Sequence, residues 1–188
     1  KSAEHRRMTM PMPFCLLHLS DIHFGAEDRL ALDAVIEFAR NVAKMTGADT
    51  TENNRDTKFP VIDVLPEQKV NIAEKNFGAT MRLGDYPCKI IKNTVTFDAY
   101  KTSKPVLERH RHRFEFNNAY RDRLEKSGLV VSGLNPQRNL VEIIELPKKV
   151  HPFFVGTQFH AEFNSSPLRP HPLFAAFIKS ALKIKKPR

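Results

Sequence analysis

Apolar positions change period several times along these 188 residues, and each change predicts an element. Phe14–Leu19 is apolar nearly throughout, as a buried parallel strand would be. Ser20–Asp28 reads as a loop. From Leu30 to Val42 the apolar residues Leu32, Val35, Ile36, Ala39, Val42 and Ala43 fall at helical spacing, with Gly47 as a stop. Asp49–Lys58 is polar and loop-like, and Val61–Leu65 is a short apolar run ended by Pro66. Gly78–Leu83 and Cys88–Val95 alternate like strands, with Gly84-Asp85-Tyr86-Pro87 as the turn between them. Asn117–Ser127 predicts a helix capped by Asn117, with Tyr120 and Leu124 on one face and Gly128 closing it. Leu129–Ser132, Leu140–Leu146 and Phe153–Phe159 predict strands, and Pro172–Ile184 an amphipathic helix. Strands and helices mixed in this order imply an α/β layered domain. The hairpin-like second half implies that its sheet is not purely parallel.

Composition narrows the class. The length is that of one globular domain, 1–188, and an apolar content of 41% supports a packed core. No run of about 18 apolar residues is present, so no membrane partner is expected. Two cysteines, Cys15 and Cys88, are too few for a disulfide scaffold and fit a reducing, cytoplasmic setting. The net charge of +9 collects in Lys1–Arg7, Arg109–Arg113 and Lys179–Arg188. No aromatic-plus-basic repeat or zinc-finger spacing accompanies it, so nucleic acid is not an expected partner.

Candidate chemistry gathers at the end of the strand ending in Phe159. His160 follows it and Glu162 comes two residues later. In α/β folds, reacting groups collect at the carboxyl ends of strands. A carboxylate at this spacing can accept one ring N–H, fix the tautomer and leave the other nitrogen as a base. Such a base calls for a nucleophile, and a cysteine thiolate is the natural one. Taken alone, a strand-end His-x-Glu fits a structural histidine more often than a base. Arg109–Arg113 reads equally as a solvated basic strand, Glu52 as a loop acid, and Cys88 as core packing.

Longer blocks sharpen this. Ala34–Val42, Pro60–Asp63 with Leu65–Gln68, Gly78-Ala79-Thr80-Met81-Arg82-Leu83-Gly84, Glu108–Asn117 and Gln158–Phe163 occur in one order. In that order they resemble segments of the glutaminase domain of the CTP synthase family, where the corresponding blocks read GGTMRLG, ERHRHRYEVN and QFHPEF. The resemblance implies a three-layer class I glutamine amidotransferase fold with a mixed, mostly parallel central sheet. It implies hydrolysis of L-glutamine by a Cys-His-Glu triad, with His160 and Glu162 as two members. The ammonia released would go to a synthase domain that aminates UTP to CTP. Arg113 would contact the glutamine α-carboxylate, which suits a guanidinium, and Glu52 its amino group. His110 and His112 would be structural or would support Arg113. No cofactor is implied for this domain; ATP and Mg²⁺ belong to the synthase domain.

Residues 1–33 diverge from that pattern. The family reads PFLGICLGMQ before the helix, with the cysteine on a tight turn whose next N–H helps build the oxyanion hole. Here Cys15-Leu16 follows Pro13-Phe14 without the flanking glycines, which makes Cys15 a tentative nucleophile. Counting back from the helix instead places Asp28 at the nucleophile position. The family's PGGFG oxyanion strand is absent from the sequence. Two alternatives follow: a glutaminase-like domain without catalysis, and a metal-dependent phosphoesterase. The second rests on Leu17–Gly25, which resembles the first motif of calcineurin-like metallophosphoesterases, with Asp21 and His23 as its ligands. The GNH and GHxH motifs that complete such a site are missing.

Overall fold

The computed structural model describes the backbone of residues 15–18, and residues 35–64 and 81–183 with their side chains. A six-stranded sheet forms the middle layer. Its order is β1 (Cys15–His18), β9 (Phe154–Thr157), β8 (Val141–Glu145), β7 (Val130–Leu134), β4 (Arg82–Ile90) and β5 (Val106–His112). A smaller sheet holds β2 (Ala48–Thr50), β3 (Phe59–Val64) and β6 (Phe114–Phe116). The described residues include three short α-helices, α1 (Val95–Tyr100), α2 (Arg121–Lys126) and α3 (Pro172–Leu182).

Alternation along the strands produces the layers. Phe154 and Ile144 turn to one face, where Phe38, Ala39 and Leu124 cover them. Phe153, Val155 and Ile143 turn to the other, beneath Leu173 of α3 and Val95 and Phe97 of α1. The expected three-layer α/β arrangement with a mixed sheet is therefore present. Its parallel share is smaller than expected. Among the described residues only β1–β9 and β2–β3 run parallel. The pairs β3–β6, β4–β5, β4–β7, β7–β8 and β8–β9 are antiparallel; in β4–β5, β7–β8 and β8–β9 consecutive strands return directly on their neighbours.

The local signals held best where caps reinforced periodicity. Asn117 accepts from the Ala119 N–H and opens the 3₁₀ turn Asn118–Tyr120, which runs into α2. Gly128, at φ 103°, ends it. His171 caps α3, with Pro172 at its first position. The helix predicted over Leu30–Val42 is described from Val35 on. It widens into a π-helical turn at Phe38–Val42, and Lys44 takes a left-handed conformation just after it, before Gly47 at φ 86°.

The predicted hairpin at Gly84–Pro87 is a correction. Those residues lie inside one continuous strand, β4, which pairs with β5 from Arg82↔His112 to Cys88↔Val106. Seven consecutive pairings outweigh the turn propensity of four residues. Pro87 is tolerated because β4 meets its other neighbour, β7, only at Lys89 and Ile90, leaving the Pro87 side without a ladder to break. The strand expected to end at Val95 instead stops at Ile90, and α1 begins. The Thr94 side chain accepts from the Phe97 N–H, and the Glu145 carboxylate accepts from the Val95 and Thr96 N–H groups at 2.7 and 2.9 Å. A negative carboxylate at a helix start is favourable.

Gly133 marks the tightest approach in the middle layer. A Cβ there would lie 2.6 Å from Ile143 Cγ1 and 2.9 Å from Cys88 Sγ. Gly133→Ala is expected to destabilise the chain by about 1–3 kcal/mol through overpacking, read as a lower denaturation midpoint in urea with an unchanged slope.

Candidate active site

The backbone delivers His160 to a defined place. The Thr157 hydroxyl donates to Phe159 O, and Gln158 N–H still bonds β8 through Glu142 O. The chain then leaves β8, and the His160 N–H donates to Arg109 O of β5 at 2.8 Å. A single 3₁₀ turn, Ala161–Asn164, follows and carries Glu162 back over the ring.

His160 Nδ1 lies 2.7 Å from Glu162 Oε1. A carboxylate only accepts, so Nδ1 carries a proton and Nε2 is the basic nitrogen. Nε2 lies 3.4 Å from Arg111 O, which can only accept, so this long contact becomes a hydrogen bond when Nε2 takes up a proton. Phe163 stacks on the ring at 4.7 Å and 15°. The imidazole is buried and the Glu162 side chain is 49% exposed. This is an oriented proton carrier with a counter-ion that solvent can reach.

Register places the other predicted residues. Thr50 pairs with Ile62 in the parallel β2–β3 ladder, and Val64 pairs with Phe114 in the antiparallel β3–β6 ladder. Glu52, two residues past β2, and Arg113, one residue before β6, therefore lie at the same end of the small sheet. Glu52 is in an exposed turn, its N–H bonded to Thr50 Oγ1; Arg113 is half-buried at the bend between β5 and β6. Arg111, whose carbonyl faces His160, is two residues from Arg113.

Cys15 is not brought to His160 by the register. In the parallel β1–β9 ladder Cys15 is opposite Phe154, at the start of the strands, and His18 is opposite Thr157, at the end that leads to His160. Three residues of strand separate the two positions, about 10 Å at 3.3 Å per residue. Asp21, His23 and Asp28 lie outside the described residues. Among the described residues, no group of three or more His, Cys, Asp or Glu could hold a metal.

Behind the site is a buried charge network that the sequence reading did not identify. Arg82 donates through Nη1 to both oxygens of Glu115, at 3.2 and 3.0 Å, and through Nη2 to Glu142 Oε1 at 2.7 Å. All three side chains are at most 2% exposed. His110 Nδ1 lies 2.8 Å from His112 Nε2, and His112 Nδ1 lies 3.0 Å from Phe114 O. Only the alternation in Glu108–His112 hinted at it: Glu108, His110 and His112 are buried, Arg109 and Arg111 exposed. A second pin lies beside the 3₁₀ turn. Buried Glu108 accepts from the Tyr100 hydroxyl at 2.6 Å, from His171 Nε2 at 3.0 Å and from Asn164 Nδ2 at 3.1 Å. It thereby fixes the turn that bears Glu162.

Burial sets the protonation of these groups. It pushes the Glu115 carboxyl from its ordinary value near 4.5 up to about 8, against the pull of Arg82. It raises Glu142 in the same direction. Burial, helped by the Arg82 charge, keeps His110 neutral far below its ordinary range. Burial and the Glu142 and Glu108 charges raise the Cys88 thiol well above normal, so this cysteine is a core residue and a poor nucleophile.

The fold and the His–Glu pair at the end of β9 define a class, and comparison with known proteins agrees. The family model for class-I glutamine amidotransferases matches residues 34–180. The chain belongs to that family. Relatives of high identity within it include CTP synthases. The CTP synthase of Caldanaerobacter subterraneus subsp. tengcongensis is 60% identical over 152 residues, 81% of this chain and 27% of that protein. That of Clostridium kluyveri is 58% identical over 152 residues, with the same shares of each chain. The chain thus spans about a quarter of the length of the curated relatives it matches. Among solved structures, the glutaminase domain of Trypanosoma brucei CTPS with bound acivicin superposes with a TM-score of 0.73 at 30% identity, over 87% of this chain and 70% of that one. No helix among the described residues is long and apolar enough to cross a membrane.

Two outcomes test the network. Arg82→Met leaves two buried carboxylates without their cation and is expected to cost about 3–5 kcal/mol, measured by chemical denaturation at pH 7. The second outcome concerns pH. Burial raises both carboxyls, so the Glu115–Glu142 pair holds a proton in the folded state that the unfolded chain releases near pH 4.5, and stability falls as pH rises from about 4.5 towards 8. Thermal melts across that window are expected to show a steadily lower midpoint.

Proposed function

We propose that the chain is the glutaminase module of a CTP synthase, hydrolysing L-glutamine to supply ammonia for the amination of UTP to CTP in pyrimidine nucleotide biosynthesis. The observation that carries this reading is the His160–Glu162 pair at the carboxyl end of β9, in a chain 60% identical to a CTP synthase over 152 residues. His160 moves protons between the attacking group, the leaving ammonia and the hydrolytic water. Glu162 holds the ring in the tautomer that leaves Nε2 basic. Arg113 takes the α-carboxylate of glutamine and Glu52 its amino group, a pairing favoured by their position at one end of the small sheet. The bound acivicin of the Trypanosoma brucei domain is consistent with a ligand pocket in this fold.

The partner is a synthase part. ATP and Mg²⁺ act there, in the portion of the relatives' length that this chain does not match, and the module itself takes no cofactor. The reading places the whole of 1–188 in one domain, in the cytoplasm, with no nucleic-acid or membrane partner.

A second reading is favoured by one observation, the β1–β9 register. A strand-end nucleophile would come just after His18, where the sequence reads Leu19-Ser20-Asp21, while Cys15 belongs to the far end of the strand. A glutaminase-like domain that binds glutamine without cutting it would have this arrangement.

Ammonia release from L-glutamine separates the two. The glutaminase reading expects release that falls about 10²–10⁴-fold in His160→Ala, and a raised KM with a smaller change in kcat for Arg113→Ala. Cys15→Ser tests the thiol: unchanged release removes Cys15 as nucleophile. No release from the parent chain, with glutamine binding retained, establishes the non-catalytic reading.

A further inference from the structure

One buried contact among these groups has no hydrogen bond as drawn. His110 Nε2 and Glu142 Oε2 face each other at 3.4 Å, and neither has a hydrogen-bond partner. The tautomers can be read along the chain of contacts. Phe114 O can only accept, so His112 Nδ1 carries a hydrogen. With His112 neutral, its Nε2 accepts, and His110 Nδ1 is the donor across 2.8 Å. His110 Nε2 is then a bare lone pair pointing at a carboxylate oxygen. Two buried lone pairs cannot satisfy each other; one proton between them would satisfy both.

Four places could hold that proton. On His110 it would make a buried imidazolium, which burial and the nearby Arg82 charge oppose. On His112 it would create a buried imidazolium whose Nδ1 bonds a neutral carbonyl, with its nearest carboxylate oxygen, Glu115 Oε1, 3.6 Å away. On Glu115 it would compete with Arg82, whose Nη1 donates to both Glu115 oxygens. Burial alone favours Glu115. The hydrogen-bond partners decide for Glu142: its Oε1 accepts from Arg82, and although the Asn135 amide lies beside the carboxylate as a further donor, only a proton on Oε2 also satisfies His110 Nε2.

We propose that Glu142 is protonated in the native protein and donates to His110, so that Arg82, Glu142, His110 and His112 form a closed positioning chain that holds β5 in place under His160. The functional half of this rests on the glutaminase reading. Its geometric basis is β5 itself: the strand that supplies His110 and His112 to the chain also supplies Arg109 O to the His160 main chain and Arg111 O to the His160 ring. The charged and titratable groups around the chain are Arg82, Tyr86 and Cys88 from β4, His110 and His112 from β5, Glu115 from β6, Arg138 from the β7–β8 turn, and His160 after β9. One proton on Glu142 leaves Arg82 and Glu115 as the remaining charged pair and makes the cluster neutral.

Nitrogen-15 NMR of the histidine rings in the full chain tests both halves without an enzyme assay. Near pH 7, His110 and His112 are expected as neutral Nδ1–H tautomers, with the same pattern in Glu142→Gln, whose amide can donate to His110 and accept from Arg82. As pH rises and Glu142 loses its proton, the His160 ring resonances of the parent chain are expected to move, and in Glu142→Gln to stay fixed over the same range. A doubly protonated His112, or an Nε2–H tautomer at His110, overturns the proton assignment. His160 resonances that move identically in both proteins overturn the positioning role. Expected tautomers in a chain that releases no ammonia leave the assignment standing and count against the glutaminase reading instead.

Discussion

One guanidinium joins the two sheets of this domain. Arg82 leaves β4 of the large sheet, binds Glu142 of β8 in the same sheet, and reaches Glu115 of β6 in the small one. Burying three ionisable groups is costly, and the arrangement is tenable because each nitrogen–oxygen contact is short and the surplus negative charge is neutralised locally. An apolar contact would allow the sheets to slide. One guanidinium nitrogen shared between both Glu115 oxygens on one side and a 2.7 Å bond to Glu142 on the other fix both spacing and orientation.

The site inherits that rigidity. β5 and β6 are consecutive in sequence but belong to different sheets, and Arg113 is the bend between them. With β4 and β6 both tied to Arg82, the direction of that bend is set. β5 in turn offers its Arg109 carbonyl to the His160 backbone, while Glu108 on the same strand anchors the turn that carries Glu162. The His–Glu pair thus depends on a strand held from one side by buried charge and from the other by the Glu108–His171–Tyr100 cluster.

Much of this was legible in the sequence, and the rest fails for identifiable reasons. The His160–Glu162 pair could be read because a two-residue spacing needs only one turn to close. The helix at Asn117–Gly128 and the strands after it carry caps and alternation within a few residues. The Gly84–Pro87 turn was misread because its local propensity was overridden by pairing with β5, a segment about 25 residues away. Arg82 to Glu142 spans 60 residues, so no window along the chain could connect them. Cys15 was the thiol the sequence offered, yet strand register, which composition does not reveal, sets it at the opposite end of β1 from the His160 side.

The most direct test of the central claim is a crystal structure of the chain with L-glutamine. The account predicts the α-carboxylate on Arg113, the amino group towards Glu52 and the side-chain amide beside His160 Nε2. Glutamine bound away from His160, or no glutamine bound at saturating concentration, would contradict it.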